Sequence, residues 1–201
     1  MPPVFSYPQG IAFNTVGRQA ILQDPDWRNG HYYEENRSVT GLAIARMLAH
    51  ITYLSEETFS RKFGRRLNER DRLNYHFDAE FAVEAYLQHK GQQFIDRFDP
   101  NSYLYITRAM DYFDIPLAYG GPQQDAPEAF RRSKADYLVI SYTSDWLFPT
   151  SESVRLAEAL QQAGRPAEHI DIISTYGHDA FLLETEQMTT AIHRFFERVL
   201  K

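Results

Sequence analysis

The sequence predicts an α/β protein in which a long helical region precedes a short parallel β-α-β unit. Apolar residues recur at helical spacing through most of residues 11–113. Residues 136–200 alternate two short apolar runs with two amphipathic segments, in the order strand, helix, strand, helix. A loop-like stretch with three prolines and paired glycines, 115–127, separates the two patterns. We therefore divide the chain into a helical region, residues 1–128, and an α/β region, residues 129–201.

The composition narrows the class of protein. A chain of 201 residues with 43% hydrophobic and 24% charged residues can bury a globular core. The net charge of −6 argues against nucleic acid as a partner. There is no cysteine, no apolar run of eighteen residues and no secretory leader, so we expect a cytoplasmic protein that spans no membrane. The histidines lack metal-binding spacing, so no metal is expected.

Five helices are predicted in the helical region. Ser55 is the expected N-cap of the third helix, because two glutamates follow it in the first turn. Phe59, Phe63 and Leu67 would share one face of that helix. The other four helices are predicted at 11–22, 41–54, 78–98 and 102–113.

The α/β region begins with a strand at 136–141, whose apolar, β-branched character suits burial on both faces. A helix over 151–164, closed by Gly164, leads to a second strand at 169–173. A helix over 187–200 follows, with one apolar face. A strand-helix-strand crossover of this kind is right-handed, and its two strands are parallel.

An acid and a histidine follow these two strands. Asp145 lies in the loop after the first strand and His178 in the loop after the second, so both are expected at the same edge of the sheet. An acid followed by a histidine is the order of the last two members of the serine-acid-histidine triad in α/β-hydrolases. The alternative is that His178 is an ordinary loop residue.

One predicted helix carries an arginine on an otherwise apolar surface. Between Leu42 and Ile51 the only polar side chains are Arg46 and His50, which share a face with Tyr53. A guanidinium on such a helix needs a carboxylate partner, because burying it alone is too costly. From the residues alone, a structural ion pair with a core Asp or Glu is favoured for Arg46.

Several segments resemble the homoserine O-acetyltransferase family. SYTSDWLFPTSES, GRP and YGHDAFLLE are similar to its C-terminal catalytic segments. IAFNTVGRQAILQDPDWRNGHYY, GLAIARMLAHITYLSEETFSRKFGRRL and EAYLQHKGQQFIDRFDPNSYLYITRAMDYFD are similar to its helical insertion. The resemblance runs from about residue 10 onward, in the same order. It implies the C-terminal part of an α/β-hydrolase fold, residues 129–201, preceded by a helical cap, residues 1–128, that serves dimerisation and acceptor binding.

The resemblance also implies an activity and a role for each site residue. Members of the family are metal-free and usually dimeric, and they move an acetyl group from acetyl-CoA to L-homoserine through an acyl-serine, in methionine biosynthesis. Asp145 and His178 would be the catalytic acid and base. Arg46 would hold the homoserine carboxylate, Asp179 would hold its ammonium, and Tyr53 falls at a position linked to the active site. A zwitterion held at both ends keeps its hydroxyl free to attack.

The nucleophile of this family is a serine in a G-x-S-x-G-like elbow. None of the eleven serines in this chain has glycine at both −2 and +2. We therefore expect the chain to be the C-terminal half of the enzyme and inactive alone. Two other functions stay open, an α/β-hydrolase esterase and a non-catalytic remnant or interaction module. The sequence does not decide between acetyl-CoA and succinyl-CoA as donor, or between homoserine and serine as acceptor.

Overall fold

The computed structural model describes residues 7–34 and 38–200, which form two compact units. The helical unit comprises the described part of Pro8–Thr52 together with Glu56–Asp111. The α/β unit comprises Tyr7, Tyr53–Ser55 and residues 112–200. Residues 1–6, 35–37 and 201, which the predicted regions 1–128 and 129–201 include, lie outside the described residues. No helix in the described part of the chain is long and apolar enough to cross a lipid bilayer.

The helical unit is built from five α-helices and one short 3-10 helix. They are α1 (Pro8–Leu22), the 3-10 helix Arg28–Gly30, α2 (Gly41–Tyr53), α3 (Glu56–Lys62), α4 (Ala82–Ile95) and α5 (Pro100–Tyr112). The last residue of α2 and the last residue of α5 belong to the α/β unit. Gly41 lets α2 approach α1 closely, since a Cβ there would lie 2.1 Å from the Ala20 carbonyl oxygen. Buried side chains from α1, α2, α4 and the segment before α2 form one core, which contains Ile21, Tyr32, Val39, Leu42, Ala45 and Phe94.

Two predicted helices are shorter than their apolar spacing indicated. The third helix ends at Lys62, and Leu67 pairs with Phe81 in an isolated antiparallel bridge. The prediction that Leu67 shares a helix face with Phe59 and Phe63 was therefore wrong, although Phe63 N–H still donates to the Phe59 carbonyl at 2.9 Å and the two ring centroids lie 5.8 Å apart. The predicted helix over 78–98 begins only at Ala82, because Phe81 is extended and its N–H donates to the Glu84 carboxylate at 2.8 Å.

A buried ion pair joins α1 and α5. The Arg18 guanidinium lies 2.6 Å from an Asp111 carboxylate oxygen, and the two side chains are only 4% and 5% exposed. The Asn14 side-chain amide donates to the other Asp111 oxygen at 2.7 Å. This is the kind of structural arginine-carboxylate pair that the sequence led us to consider for Arg46.

The α/β unit contains two strands and five helices, with a 3-10 turn before the fourth. The elements are α6 (Ile115–Tyr119), α7 (Ala126–Phe130), β1 (Tyr137–Tyr142), α8 (Thr150–Gln162), β2 (Ala167–Ile172), the 3-10 helix Gly177–Asp179, α9 (Ala180–Leu183) and α10 (Thr185–Val199). The prediction of an uninterrupted loop over 115–127 was wrong. Asp114 and Asp125 cap α6 and α7 by accepting from Leu117 N–H and Glu128 N–H, and a proline lies in the first turn of each helix.

The parallel β-α-β unit is confirmed. β1 and β2 pair in parallel from Tyr137↔Ala167 to Tyr142↔Ile172, with α8 as the crossover. Gly164, with a φ of +72°, follows the end of α8 as predicted. The first strand is less buried than expected, since its first four residues are half-buried and only its last two are buried. Within the described residues β1 pairs with β2 alone, so no strand of this part of the chain pairs with its other edge.

Candidate active site

The acid loop begins directly after β1. Asp145 N–H donates to the Tyr142 carbonyl at 3.0 Å, which turns the chain sharply at the end of the strand. The Asp145 side chain is buried, and its Oδ1 atom accepts from the backbone N–H groups of Leu147 at 3.0 Å and Phe148 at 2.8 Å. These two bonds fix the carboxylate and leave Oδ2 for a third partner.

That third partner is His178, which lies in the 3-10 helix after β2. The distance from His178 Nδ1 to Asp145 Oδ2 is 2.9 Å, and the histidine side chain is 23% exposed against 6% for the acid. A carboxylate at this distance holds the proton on Nδ1 and leaves the Nε2 lone pair available. The structure therefore brings the two predicted catalytic side chains together in the geometry of an acid and a general base.

Three consecutive residues of the acid loop hold the histidine loop. Thr143 Oγ1 donates to the Ser174 carbonyl and accepts from Ser174 N–H, both at 3.1 Å. Ser144 Oγ accepts from Gly177 N–H at 2.9 Å, and Asp145 then bonds to the histidine. The position of the imidazole is thus set by the whole junction between the two loops.

The segment Tyr53–Ser55 packs against the same junction. Ser55 Oγ donates to the Thr175 carbonyl, and Trp146 Nε1 donates to the Leu54 carbonyl at 3.1 Å. Gly177 has a φ of +73°, and a Cβ there would lie 2.5 Å from Ser55 N. Only glycine permits this backbone conformation together with this close approach.

Three aromatic rings surround the imidazole. The ring centroids of Tyr53, Phe148 and Phe181 lie 5.6, 5.0 and 5.4 Å from that of His178. The resemblance had placed Tyr53 near the site, but sequence reasoning missed both phenylalanines. Each follows a catalytic candidate by three residues, which was the available signal. These rings restrict the orientation of the imidazole.

The two predicted substrate-binding charges lie in different units. Asp179 ends the 3-10 helix next to His178 in the α/β unit, and it is half-buried. Arg46 lies on α2 in the helical unit, is also half-buried, and has its guanidinium 4.8 Å from the centroid of the Phe94 ring. Their joint action on one substrate stays a prediction.

A second group of serine, histidine and aspartate lies on the strands themselves. Ser141 Oγ is 2.8 Å from His169 Nε2 and donates to Asp171 Oδ1 at 2.7 Å, and Thr150 donates to the same oxygen at 3.0 Å. Because the Ser141 hydroxyl donates its proton to the Asp171 carboxylate, His169 Nε2 donates to the serine oxygen and does not remove the serine proton. This group links the strands and lacks the geometry of an activated nucleophile.

The described residues contain no group of three or more His, Asp or Glu side chains arranged to hold a metal ion. The chemistry that the geometry supports is proton transfer at His178 Nε2, with the imidazolium stabilised by Asp145.

The chain is similar in sequence to curated homoserine O-acetyltransferases. It is 52% identical over 188 residues to the enzyme of Mesorhizobium japonicum, which is 93% of this chain and 48% of that protein. It is 55% identical over 189 residues to the enzyme of Caulobacter vibrioides, again 93% of this chain and 48% of the relative. The chain therefore spans about half the length of the curated relatives it matches. No protein-family model matches it.

Solved structures show the fold. The homoserine O-acetyltransferase of Bacillus anthracis aligns with a TM-score of 0.76 at 22% identity, over 89% of this chain and 46% of that one. Esterase E22 aligns with a TM-score of 0.79 at 20% identity, over 95% of this chain and 51% of that one. The resemblance recognised in the sequence is confirmed: over nearly all of its length the chain is similar to homoserine O-acetyltransferases, and its fold is part of an α/β-hydrolase fold.

Proposed function

We propose that the full-length protein is a homoserine O-acetyltransferase, which transfers the acetyl group of acetyl-CoA to the hydroxyl of L-homoserine. The observation that carries the proposal is the 2.9 Å contact between His178 Nδ1 and Asp145 Oδ2. It occurs in a chain that aligns over 93% of its length with enzymes of that name, at 52% and 55% identity. Neither the similarity nor the geometry alone would support both a substrate and a mechanism.

The proposed reaction has two half-reactions. In the first, His178 Nε2 takes the proton of a serine hydroxyl as the serine oxygen attacks the thioester carbonyl, and the proton then goes to the departing CoA thiolate. In the second, His178 takes the hydroxyl proton of homoserine as that oxygen attacks the acyl-serine, and it returns the proton to the serine. The serine would lie in a G-x-S-x-G-like elbow, a motif that these 201 residues do not contain.

Acceptor recognition is assigned to three residues. Arg46 would bind the homoserine carboxylate, since a guanidinium offers two parallel donors to a carboxylate. Asp179 would bind the ammonium group, and Tyr53, whose ring lies beside the imidazole, would border the acceptor site. A neighbouring acceptor bound this way competes with water for the acyl-serine, which separates a transferase from a hydrolase.

An esterase is the second candidate, because esterase E22 shares the fold with a TM-score of 0.79. An esterase would pass the acyl group to water and would need neither Arg46 nor Asp179. A non-catalytic interaction module is the third candidate, and it would need no functional His178.

The remaining assignments accompany the leading proposal. The names of the relatives support a role in methionine biosynthesis, and the composition supports a cytoplasmic protein that binds neither membrane nor nucleic acid. We assign residues 1–128 to a cap that binds the acceptor and forms a homodimer, and residues 129–201 to the catalytic α/β segment. Acetyl-CoA acts as a co-substrate with no other cofactor, and succinyl-CoA is the alternative donor.

CoA release tests this proposal. The full-length protein is incubated with acetyl-CoA or succinyl-CoA, with and without L-homoserine, and the free thiol is measured. Release from acetyl-CoA that depends on homoserine is expected. Equal release without homoserine would indicate the esterase, and no release with either donor would indicate the non-catalytic module.

A further inference from the structure

A pocket of about 460 Å³ opens on the helical unit between α2 and the end of α4. All six of its lining residues are charged or polar, and they are Arg46, His50, Lys90, Gln93, Asp96 and Arg97. Three of them are cations and one is a carboxylate. The formal charge of the lining is therefore about +2 with His50 neutral, in a chain whose net charge is −6.

Two of the cations contact the same aromatic ring. Phe94 is buried, and the guanidiniums of Arg46 and Arg97 lie 4.8 and 5.5 Å from its ring centroid. Both contacts lie in the range in which an aromatic ring attracts a cation. The Phe94 ring thus places two guanidinium groups on one side of the pocket.

His50 is half-buried at this pocket and lies near its positive charges. Burial, followed by the charges of Arg46 and Lys90, lowers the pKa of His50 from 6.5 to about 4. The imidazole is therefore neutral at pH 7, and its Nδ1 lies 3.0 Å from the hydroxyl of Tyr86. A neutral ring adds no charge of its own, so the arginines and the lysine dominate the pocket.

The size and charge of the pocket fit a phosphorylated ligand better than an amino acid. Its volume of about 460 Å³ is that of an open groove with room for a phosphate group. A zwitterionic amino acid carries one carboxylate and no net charge, so Arg46 alone would satisfy it. A phosphate carries up to two negative charges and several acceptor oxygens, which match the guanidinium fork of Arg97 and the ammonium of Lys90.

We propose that Lys90 and Arg97 bind the phosphate groups of the acyl-CoA donor at this pocket. The proposal rests on the proposed function, because that function supplies a phosphorylated substrate. Arg46 keeps its predicted acceptor role, and Lys90 and Arg97 determine affinity for the donor. Arg97 is exposed and Lys90 half-exposed, so both can meet a ligand that enters from solvent.

The test uses the full-length protein and a double variant, Lys90→Gln with Arg97→Gln, which removes two charges but retains polar side chains. The control, Arg132→Gln with Lys134→Gln, removes one arginine and one lysine from exposed positions in the α/β unit. Calorimetric titrations use CoA, 3′-dephospho-CoA and inorganic pyrophosphate. CoA affinity is expected to fall roughly 10- to 100-fold in the pocket variant and to stay unchanged in the control.

The comparison of ligands and steady-state assays complete the test. An equal affinity loss for dephospho-CoA assigns the contact to the diphosphate, whereas a smaller loss assigns it to the 3′-phosphate. In steady-state assays KM for acetyl-CoA rises, whereas the rate with S-acetylpantetheine, which lacks phosphates, stays the same. Unchanged CoA affinity in the pocket variant, or an equal loss in the control, overturns the proposal. So does pyrophosphate binding through these residues without CoA binding, which would indicate a free-phosphate site.

These titrations require no turnover. If the protein binds CoA through Lys90 and Arg97 but forms no acetylated homoserine, the proposed function fails and the pocket assignment stands. If homoserine-dependent CoA release occurs with unchanged donor affinity in the pocket variant, the pocket assignment fails and the function stands.

Discussion

Replacement of Asp145 by asparagine separates the structural role of the acid from its chemical role. In the structure Oδ1 accepts two backbone N–H bonds, from Leu147 and Phe148, and only Oδ2 faces His178. The asparagine carbonyl can keep both backbone bonds, which directs its NH₂ group toward His178 Nδ1. That nitrogen must then accept a hydrogen bond, so its proton moves to Nε2 and the general base is lost.

The size of the effect follows from that geometry. A wrong tautomer and a missing carboxylate lower the turnover rate by about 10⁴, which corresponds to about 5.5 kcal/mol in activation free energy. The melting temperature should change little, because the two bonds to the loop remain. Asp171→Asn is the matched control, since this carboxylate also accepts two hydrogen bonds, from Ser141 and Thr150, but does not contact His178.

The assay is homoserine-dependent CoA release by the full-length protein, measured with the melting temperature of each variant. A near-normal rate in Asp145→Asn would refute the argument. An equal loss of rate in Asp171→Asn would also refute it, because the effect would then come from the sheet in general.

Four further outcomes are expected. Gly177→Ala should lower both melting temperature and turnover, since the new Cβ would lie 2.5 Å from Ser55 N; unchanged values would contradict the close approach. Arg46→Lys should lower kcat/KM for homoserine roughly 30- to 1000-fold but leave the acetylation burst intact, whereas equal loss in both would mean that Arg46 stabilises the fold. The folded-state pKa of His50, about 4, lies below its ordinary 6.5, so the unfolded chain binds the proton more tightly and the free energy of unfolding falls as the pH drops from about 6.5 to 4. Denaturant titrations should show a steeper dependence of this free energy on pH in the wild type than in His50→Gln. An identical dependence in both would contradict the lowered pKa of His50. The 201-residue chain alone should release no CoA in the presence of homoserine, since none of its serines has the flanking glycines of a nucleophile elbow; homoserine-dependent turnover would contradict this.

The sequence was sufficient to predict the structure where a local residue pattern and the chain topology indicate the same arrangement. Apolar runs and helical periodicity predicted the two strands and their parallel pairing. Gly164 was predicted to close α8 because glycine readily adopts the positive φ that often follows a helix. The contact between Asp145 and His178 followed from topology, since adjacent parallel strands deliver their loops to one edge.

The remaining features depend on contacts that sequence spacing does not contain. The prolines of 115–127 indicated a loop, although proline is also favoured in the first turn of a helix behind an aspartate cap. The packing of Tyr53–Ser55 on the histidine loop and the buried pair Arg18–Asp111 join residues about 90 or more positions apart. No local pattern indicates such partners.

The partition of a labelled acetyl group tests the central claim most directly. The full-length protein is given acetyl-CoA labelled in the acetyl group, with L-homoserine, and the products are separated. The proposed mechanism predicts that most of the label appears in O-acetylhomoserine, and that His178→Ala forms neither this product nor an acetylated enzyme. Label that appears as acetate at the same rate with or without homoserine would contradict the mechanism and identify a hydrolase.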